Sequence, residues 1–250
     1  MCSRNSYGNA GEVIVVKFSI WNICEIDMKS IASTWAIVVK DVRSELRTRY
    51  ALNALLMFIV TSVATILFAL RDDDLNPEIL SGMFWVVIFF TAMSGLSRIF
   101  VSEEERGTTM TLQLVASPSE VYFGKLIFNS GLTLVLSSSV TILYMIVFPA
   151  FVITSVSIFV FTVILGSLGF ASAATIIAAV IAKANTKGTL YPVLSFPILI
   201  PLLMTVMKST ARALDGELFT AALGEFQILV SYLLVMTAGS YLLFDYVWKE

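Results

Sequence analysis

The residue types that carry most protein chemistry are thinly supplied in this chain. There is no histidine among its 250 residues, which removes imidazole metal ligands, axial haem ligation by histidine, Ser-His-Asp hydrolysis and Cys-His nucleophiles together. The two cysteines, Cys2 and Cys24, are too few for a metal cage or a disulfide framework. Gly124-Lys125 is followed by Leu126 and lacks the upstream glycine of a phosphate-binding loop, so the chain cannot cradle ATP phosphates by that route. No C-x-x-C-H motif is present. What remains is charge and proline set into apolar sequence: the run Glu103-Glu104-Glu105-Arg106-Gly107-Thr108, and Pro192, Pro197 and Pro201 within one apolar segment. Such residues suit docking and bending rather than bond-making, and the chain is not expected to be an enzyme.

The elements that must position these residues follow from composition. The chain is 58% apolar and 14% charged, with a mean hydropathy of +0.88, where soluble domains run at about 45–50% apolar and about 25% charged. A water-soluble globule of this length cannot hide that much apolar surface, so a polytopic membrane protein is expected. Segments 50–70, 79–97, 188–207 and 226–244 contain no Asp, Glu, Lys or Arg, each close to the roughly 20 residues that cross the hydrocarbon core. The charge-free stretch 126–182 is too long for one crossing at about 1.5 Å per residue. It must fold back, and Phe148-Pro149-Ala150 followed by Thr154-Ser155 is the place. Six spanning helices are therefore predicted, near 52–70, 79–98, 126–148, 156–182, 189–207 and 226–245. An open sheet cannot leave its backbone unpaired in hydrocarbon, so the fold class is all-α.

Of the 16 Lys and Arg, thirteen fall in the N-terminal segment, the second and fourth connections and the C-terminus. Only Arg71, Lys208 and Arg212 fall on the alternate side. The bias predicts that both termini are cytoplasmic, and the acidic first outer loop, Arg71-Asp72-Asp73-Asp74, agrees. Ahead of the first span, Ile31, Trp35, Val38, Val39, Val42 and Leu46 recur at helical spacing, with Lys40, Asp41, Arg43, Glu45 and Arg47 on the other face. This segment, running into Arg49, reads as an amphipathic helix in the cytoplasmic interface with Trp35 at headgroup depth; a soluble helix packed on a partner has the same pattern. Residues 1–27 are mixed in character and lack the order of a signal peptide. They read as an extension outside the domain 28–250, with Met28 as the expected start of translation.

The long cytoplasmic connection, 101–123, places the three glutamates and Arg106-Gly107-Thr108 before a short amphipathic run of Met110, Leu112, Leu114 and Val115. Ser117-Pro118 ends it, and Ser119-Glu120 can cap the next helix. A short helix bounded by breakers at the membrane face can transmit force from a soluble partner; a solvated acidic loop is the plainer alternative. The three prolines predict a kink or break in the fifth span, acting either as a hinge or substrate-lining segment or as a static kink. Ser167, Ala171 and Thr175, and Ala174, Ala178 and Ala182, form small-residue faces for close helix packing or for a dimer seam. Tyr144, Tyr191, Tyr232, Tyr241, Tyr246, Trp85 and Trp248 suit belt or packing roles rather than contact with haem iron. No ionisable side chain sits at the centre of a span, so an ion-coupled carrier has no relay, and a transporter of this kind needs an external motor.

The order of acidic residues, Gly-Thr, a leucine-rich turn, Ser-Pro and then Gly-Lys opening a span resembles the permease subunits of ABC-2 exporters. Glu45-Leu46-Arg47-Thr48-Arg49 with Ala51-Leu52-Asn53-Ala54-Leu55-Leu56, then Gly95-Leu96-Ser97-Arg98-Ile99-Phe100, and Leu194-Ser195-Phe196-Pro197-Ile198-Leu199-Ile200-Pro201-Leu202-Leu203, resemble the haem exporter protein B (CcmB) family of cytochrome c maturation. The resemblance runs from about Met28 to the C-terminus, with the polar outer segment 208–225 as a departure. It implies a permease subunit in a bacterial-type inner membrane. A cytoplasmic ATPase subunit holding the ATP would dock on Glu103, Glu104, Glu105, Arg106, Gly107, Thr108, Leu112 and Pro118. Other cytochrome c maturation membrane subunits, a second copy or related chain, and membrane lipid would be its remaining partners, with no nucleic acid. No cofactor is expected on this chain, and haem is the implied cargo. An ABC-2 permease for a lipid, glycan or drug, and a membrane assembly scaffold without transport, are the competing expectations.

Overall fold

The computed structural model describes residues 30–47, 49–70, 76–96, 107, 109–183 and 191–249. Among them every regular element is helical: α1 (30–47), α2 (Arg49–Ala69), α3 (Pro77–Leu96), α4 (Thr109–Val115), α5 (Pro118–Val147), α6 (Val156–Lys183), α7 (Tyr191–Leu214), a 3-10 turn (Phe219–Ala222) and α8 (Leu223–Lys249). Six of these helices, α2, α3, α5, α6, α7 and α8, are long and apolar enough to cross a bilayer.

The centre of the bundle is α6, packed against α5, α7 and α8. Its small residues explain the place it takes. A side chain at Gly166 would meet Trp85 Cη2 at 2.6 Å and Val206 Cγ1 at 3.0 Å, and one at Gly169 would meet Leu202 Cδ1 at 2.8 Å. Ala171, Ala174, Ala178 and Thr175 are all buried. The small-residue faces are therefore used inside the bundle, where close approach adds packing contacts that apolar burial cannot supply in lipid. Interhelical polar pairs reinforce it: Asn129 Nδ2 donates to Thr175 Oγ1 (2.7 Å), Ser137 and Ser167 hydroxyls meet at 3.0 Å, Thr162 and Ser209 at 2.6 Å, and Ser172 and Thr237 at 3.0 Å.

These pairs also fix direction. Asn129 with Thr175 and Ser137 with Ser167 make α5 and α6 antiparallel, and Gly169 with Leu202 and Gly166 with Val206 make α6 and α7 antiparallel. The fold-back predicted at Phe148 and Thr154-Ser155 is where α5 ends and α6 begins. There Ser155 N–H donates to the Ala213 carbonyl (2.9 Å) and Thr154 Oγ1 to the Leu214 carbonyl (3.0 Å), tying the α5–α6 loop to the end of α7. Gly216, at φ +76°, turns the chain out of α7 there.

Several expectations are corrected. The third span starts at Pro118, not near 126, because Ser117 and Glu120 form a capping box with Pro118 in the first turn. The fifth span does not stop at 207. It continues to Leu214 because its two cations are compensated: Arg212 contacts Glu217 (2.9 Å) and Glu225 (3.4 Å), and Lys208 contacts Glu225 (3.2 Å). The helix is also not broken by its prolines. Pro192 lies in the first turn, where no N–H is required, and Pro197 and Pro201 are inside one continuous α7. Tyr232 of α8 donates to the Ile198 carbonyl between them at 3.1 Å, the kind of neighbouring donor that makes proline tolerable in a span. Of the aromatics expected at belt or packing positions, Trp85 and Tyr144 take packing positions and are fully buried. Trp85 Nε1 donates to Thr210 Oγ1 at 2.7 Å, and Tyr144 packs among Phe84, Phe148 and Phe151.

Candidate functional site

The predicted connection is described from Gly107, except Thr108. Glu103, Glu104, Glu105, Arg106 and Thr108 lie outside the described residues, as do Arg71, Asp72, Asp73 and Asp74 of the first outer loop. Gly107 has φ +65°, a left-handed turn that admits glycine without strain, and α4 begins two residues later. Along α4 the apolar residues divide. Leu112 packs against the core, whereas Met110, Leu114 and Val115 are 78%, 87% and 79% exposed. The bundle anchors one side of this seven-residue helix and leaves an apolar side bare.

Ala116 N–H closes α4 onto the Leu112 carbonyl (3.0 Å), and Ser117 caps α5 immediately. The Glu120 carboxylate then joins three elements. Its Oε2 accepts from Ser117 N–H at 3.0 Å, which is the α4–α5 elbow, and from Ser33 Oγ at 3.1 Å, which is on α1. One turn further, a side chain on Gly124 would meet Ile37 Cγ2 at 2.9 Å and the Thr34 carbonyl at 3.2 Å, so α1 lies directly on the α5 backbone. Beside that contact Lys125 Nζ reaches Asp41 Oδ2 at 2.9 Å, with both side chains buried. Lys40 Nζ is 3.3 Å from the other Asp41 oxygen. From the far side, Ser119 meets Tyr241 at 3.3 Å, and Tyr122 OH donates to the Thr237 carbonyl at 3.2 Å, both on α8. The first two turns of α5 are thus held by α1 on one flank and α8 on the other.

The sequence reading missed this clamp. It places Asp41 on the polar face of α1 and Lys125 at the mouth of the next span, and it takes Ile31, Trp35, Val38, Val39, Val42 and Leu46 as the apolar face, of which Val38 is buried and Val39 half-buried. The structure turns Ile37, Val38 and Asp41 inward and leaves Ile31, Trp35, Val42 and Leu46 exposed, with Arg43 and Arg47 exposed as well. A complementary charge sited one helix away does not register in a hydropathy pattern. The signal was Gly124-Lys125 itself: a glycine that admits a helix, next to a cation that needs a partner. Pro118 sits at the elbow as predicted, while Pro197 and Pro201 lie on exposed positions of α7, remote in sequence from it. The side chains of Arg49, Pro192, Tyr191 and Trp248 lie outside the described residues.

Among the described residues no group of His, Cys, Asp and Glu is placed to hold a metal ion. The arrangement joins α4 to α5 through the capping box, and α5 to α1 and α8 through the contacts just described.

A family model described as CcmB protein matches residues 32–244. No curated protein matches the chain.

Proposed function

The chain belongs to the CcmB family, a membrane permease subunit of a haem-exporter ABC system, and from that premise we propose that α4 and the acidic run before it are the surface through which a cytoplasmic ATPase drives the bundle. The observation that carries this reading is the bare side of α4. Met110, Leu114 and Val115 stand out at the end of a connection that Gly107 and Ser117 bound on either side. A loop meant only for solvent has no use for three large apolar side chains, whereas a docking helix needs them at its centre with charge at its rim. Glu103, Glu104, Glu105 and Arg106 supply that rim in the sequence.

In this reading nucleotide binding closes the partner ATPase pair and pushes α4. The α4–α5 elbow is stiff because the Ser117–Glu120 box fixes it, so the push tilts the first turns of α5. Glu120 passes the motion to α1, and Ser119 and Tyr122 pass it to α8. Pro197 and Pro201, inside α7, mark the span best suited to bend in response. Haem is the cargo of the system, and with no histidine in the chain this subunit contributes movement rather than iron ligation. Both termini lie on the cytoplasmic side with α4, and a second copy or a related membrane subunit completes the central interface.

Co-purification in mild detergent tests the docking surface. Leu114→Asp and Val115→Asp, or Glu104→Lys with Glu105→Lys, lose the ATPase while the chain stays in the membrane and elutes as the wild type does. Undiminished recovery of the ATPase with all four changes overturns the reading. Measuring the pigment bound to the intact wild-type complex separates haem from a lipid, glycan or drug as cargo. A complex in which no ATPase is found at all supports a scaffold without transport.

A further inference from the structure

Beside the elbow, between the first turns of α5 and the last turns of α8, lies a cavity of about 380 Å³ lined among others by Pro118, Ser119, Tyr122, Tyr241, Phe244 and Tyr246. We propose that this aromatic cavity receives an arginine side chain of the cytoplasmic ATPase, so that the partner grips α8 as well as α4. The inference rests on the docking reading above and adds a second contact to it.

The wall selects a cation by its chemistry. Rings make up most of it: Tyr122 lies 6.0 Å from Tyr241 and 5.4 Å from Phe244, centroid to centroid, and Tyr246 stands 75% exposed at the rim. Aromatic faces carry negative potential and attract cations, arginine more often than lysine. The polar atoms agree. The hydroxyls of Ser119 and Tyr241 share one hydrogen bond at 3.3 Å, and Tyr122 gives its proton to the Thr237 carbonyl. Oxygen lone pairs therefore outnumber protons in this wall, and a guanidinium only donates. Among the described residues the lining contains no Lys or Arg to compete.

An anion is disfavoured at the same place. The N-terminal end of α5 would attract one, but the Glu120 carboxylate already takes the Ser117 N–H and Pro118 has no N–H to offer. No ion pair to a cation neutralises Glu120 among the described residues. Position selects the source of the cation. Val115, bare at the end of α4, lies just before Ser117 and Pro118, so a protein seated on α4 reaches the cavity without leaving the elbow. A lipid ammonium brings the charge but lacks the planar fork that stacks on a ring.

The test uses the full chain in its native complex, with Leu242→p-benzoylphenylalanine on the cavity wall and, separately, Leu114→p-benzoylphenylalanine on α4. Membranes are irradiated and the adducts are read by mass spectrometry. Both positions capture the ATPase, and the peptide joined to position 242 contains an arginine. In a second arm, Tyr241→Leu with Tyr246→Leu makes the ATPase dissociate about three- to tenfold faster in mild detergent, whereas Tyr241→Phe with Tyr246→Phe, which keeps the rings, retains it. An adduct of position 242 with a lipid, with another membrane subunit or with an ATPase peptide lacking arginine overturns the proposal, as does unchanged retention in the leucine pair. Capture from position 114 without capture from position 242 sinks the cavity proposal alone; capture from neither sinks the docking reading with it.

Discussion

Glu120 and Lys125 show how two charges can be kept at the mouth of an apolar span. A buried ion pair contributes little net stability against an apolar pair of the same shape, but removing one partner strands the other. Lys125→Met should therefore lower stability, but by less than the about 3–5 kcal/mol of a fully stranded buried charge, because Asp41 stays buried beside α5 with the half-exposed Lys40 as its remaining cation. Lys125→Met combined with Asp41→Leu should recover most of that loss. Thermal unfolding in one detergent reads both, and equal losses in the single and double variants would show that the pair is not an isolated unit. Glu120 separates a structural role from a transmitting one. Glu120→Ala removes the acceptor of the Ser117 N–H and of Ser33, at about 1 kcal/mol for a lost cap, whereas Glu120→Gln keeps an oxygen for both. If the carboxylate couples α4 to α1, Glu120→Ala lowers nucleotide-dependent transport by the complex while the ATPase still co-purifies, and Glu120→Gln restores most of it. A defect that tracks Tm in both variants would mean that Glu120 only holds the elbow together.

At the scale of helices, the number of spans and their charge-free cores were legible in sequence, since hydrocarbon demands about 20 apolar residues and a closed backbone from every crossing. The fold-back at Phe148-Pro149 was legible for the same reason. The ends were not. Lys125, Lys208 and Arg212 read as loop residues one at a time, and their partners (Asp41, Glu217 and Glu225) compensate them where the helix continues. The apolar stripe of α1 was visible but its docking face was not, because that face is set by a glycine on another helix. Glycine contacts supply a prediction at this scale. Gly166→Ala presses a methyl group against Trp85 and Val206, and overpacking of this kind costs about 1–3 kcal/mol. Trp85→Phe removes the larger part of the conflict. A double variant more stable than Gly166→Ala alone confirms that α3, α6 and α7 are fitted together at this point; an unshifted Tm in Gly166→Ala would show the contact to be slack.

The whole molecule has two unlike ends. One carries the elbow, α1 and both ends of the described chain. The other is closed by Thr154, Ser155 and the Arg212–Glu217–Glu225 contacts, with Leu218 standing exposed beside them. A device driven from one side can use this arrangement: an input end, where α1, α5 and α8 are joined through Glu120, the Lys125–Asp41 pair and Tyr122, and a tied far end that keeps the spans in register while the input moves. The proposed orientation rests on charge: only Arg71, Lys208 and Arg212 of the 16 Lys and Arg fall in the sequence connections assigned to the outer side, and Lys and Arg are retained inside. Placing single cysteines at Met110 and Leu218, after replacing Cys2 and Cys24, checks the orientation in intact cells. A membrane-impermeant thiol reagent should label L218C and leave M110C untouched until the membrane is opened. Labelling of M110C from outside would put the bare side of α4 beyond the reach of any cytoplasmic ATPase, and the exposed apolar surface of Met110, Leu114 and Val115 would then have to be covered by a partner on the outer face.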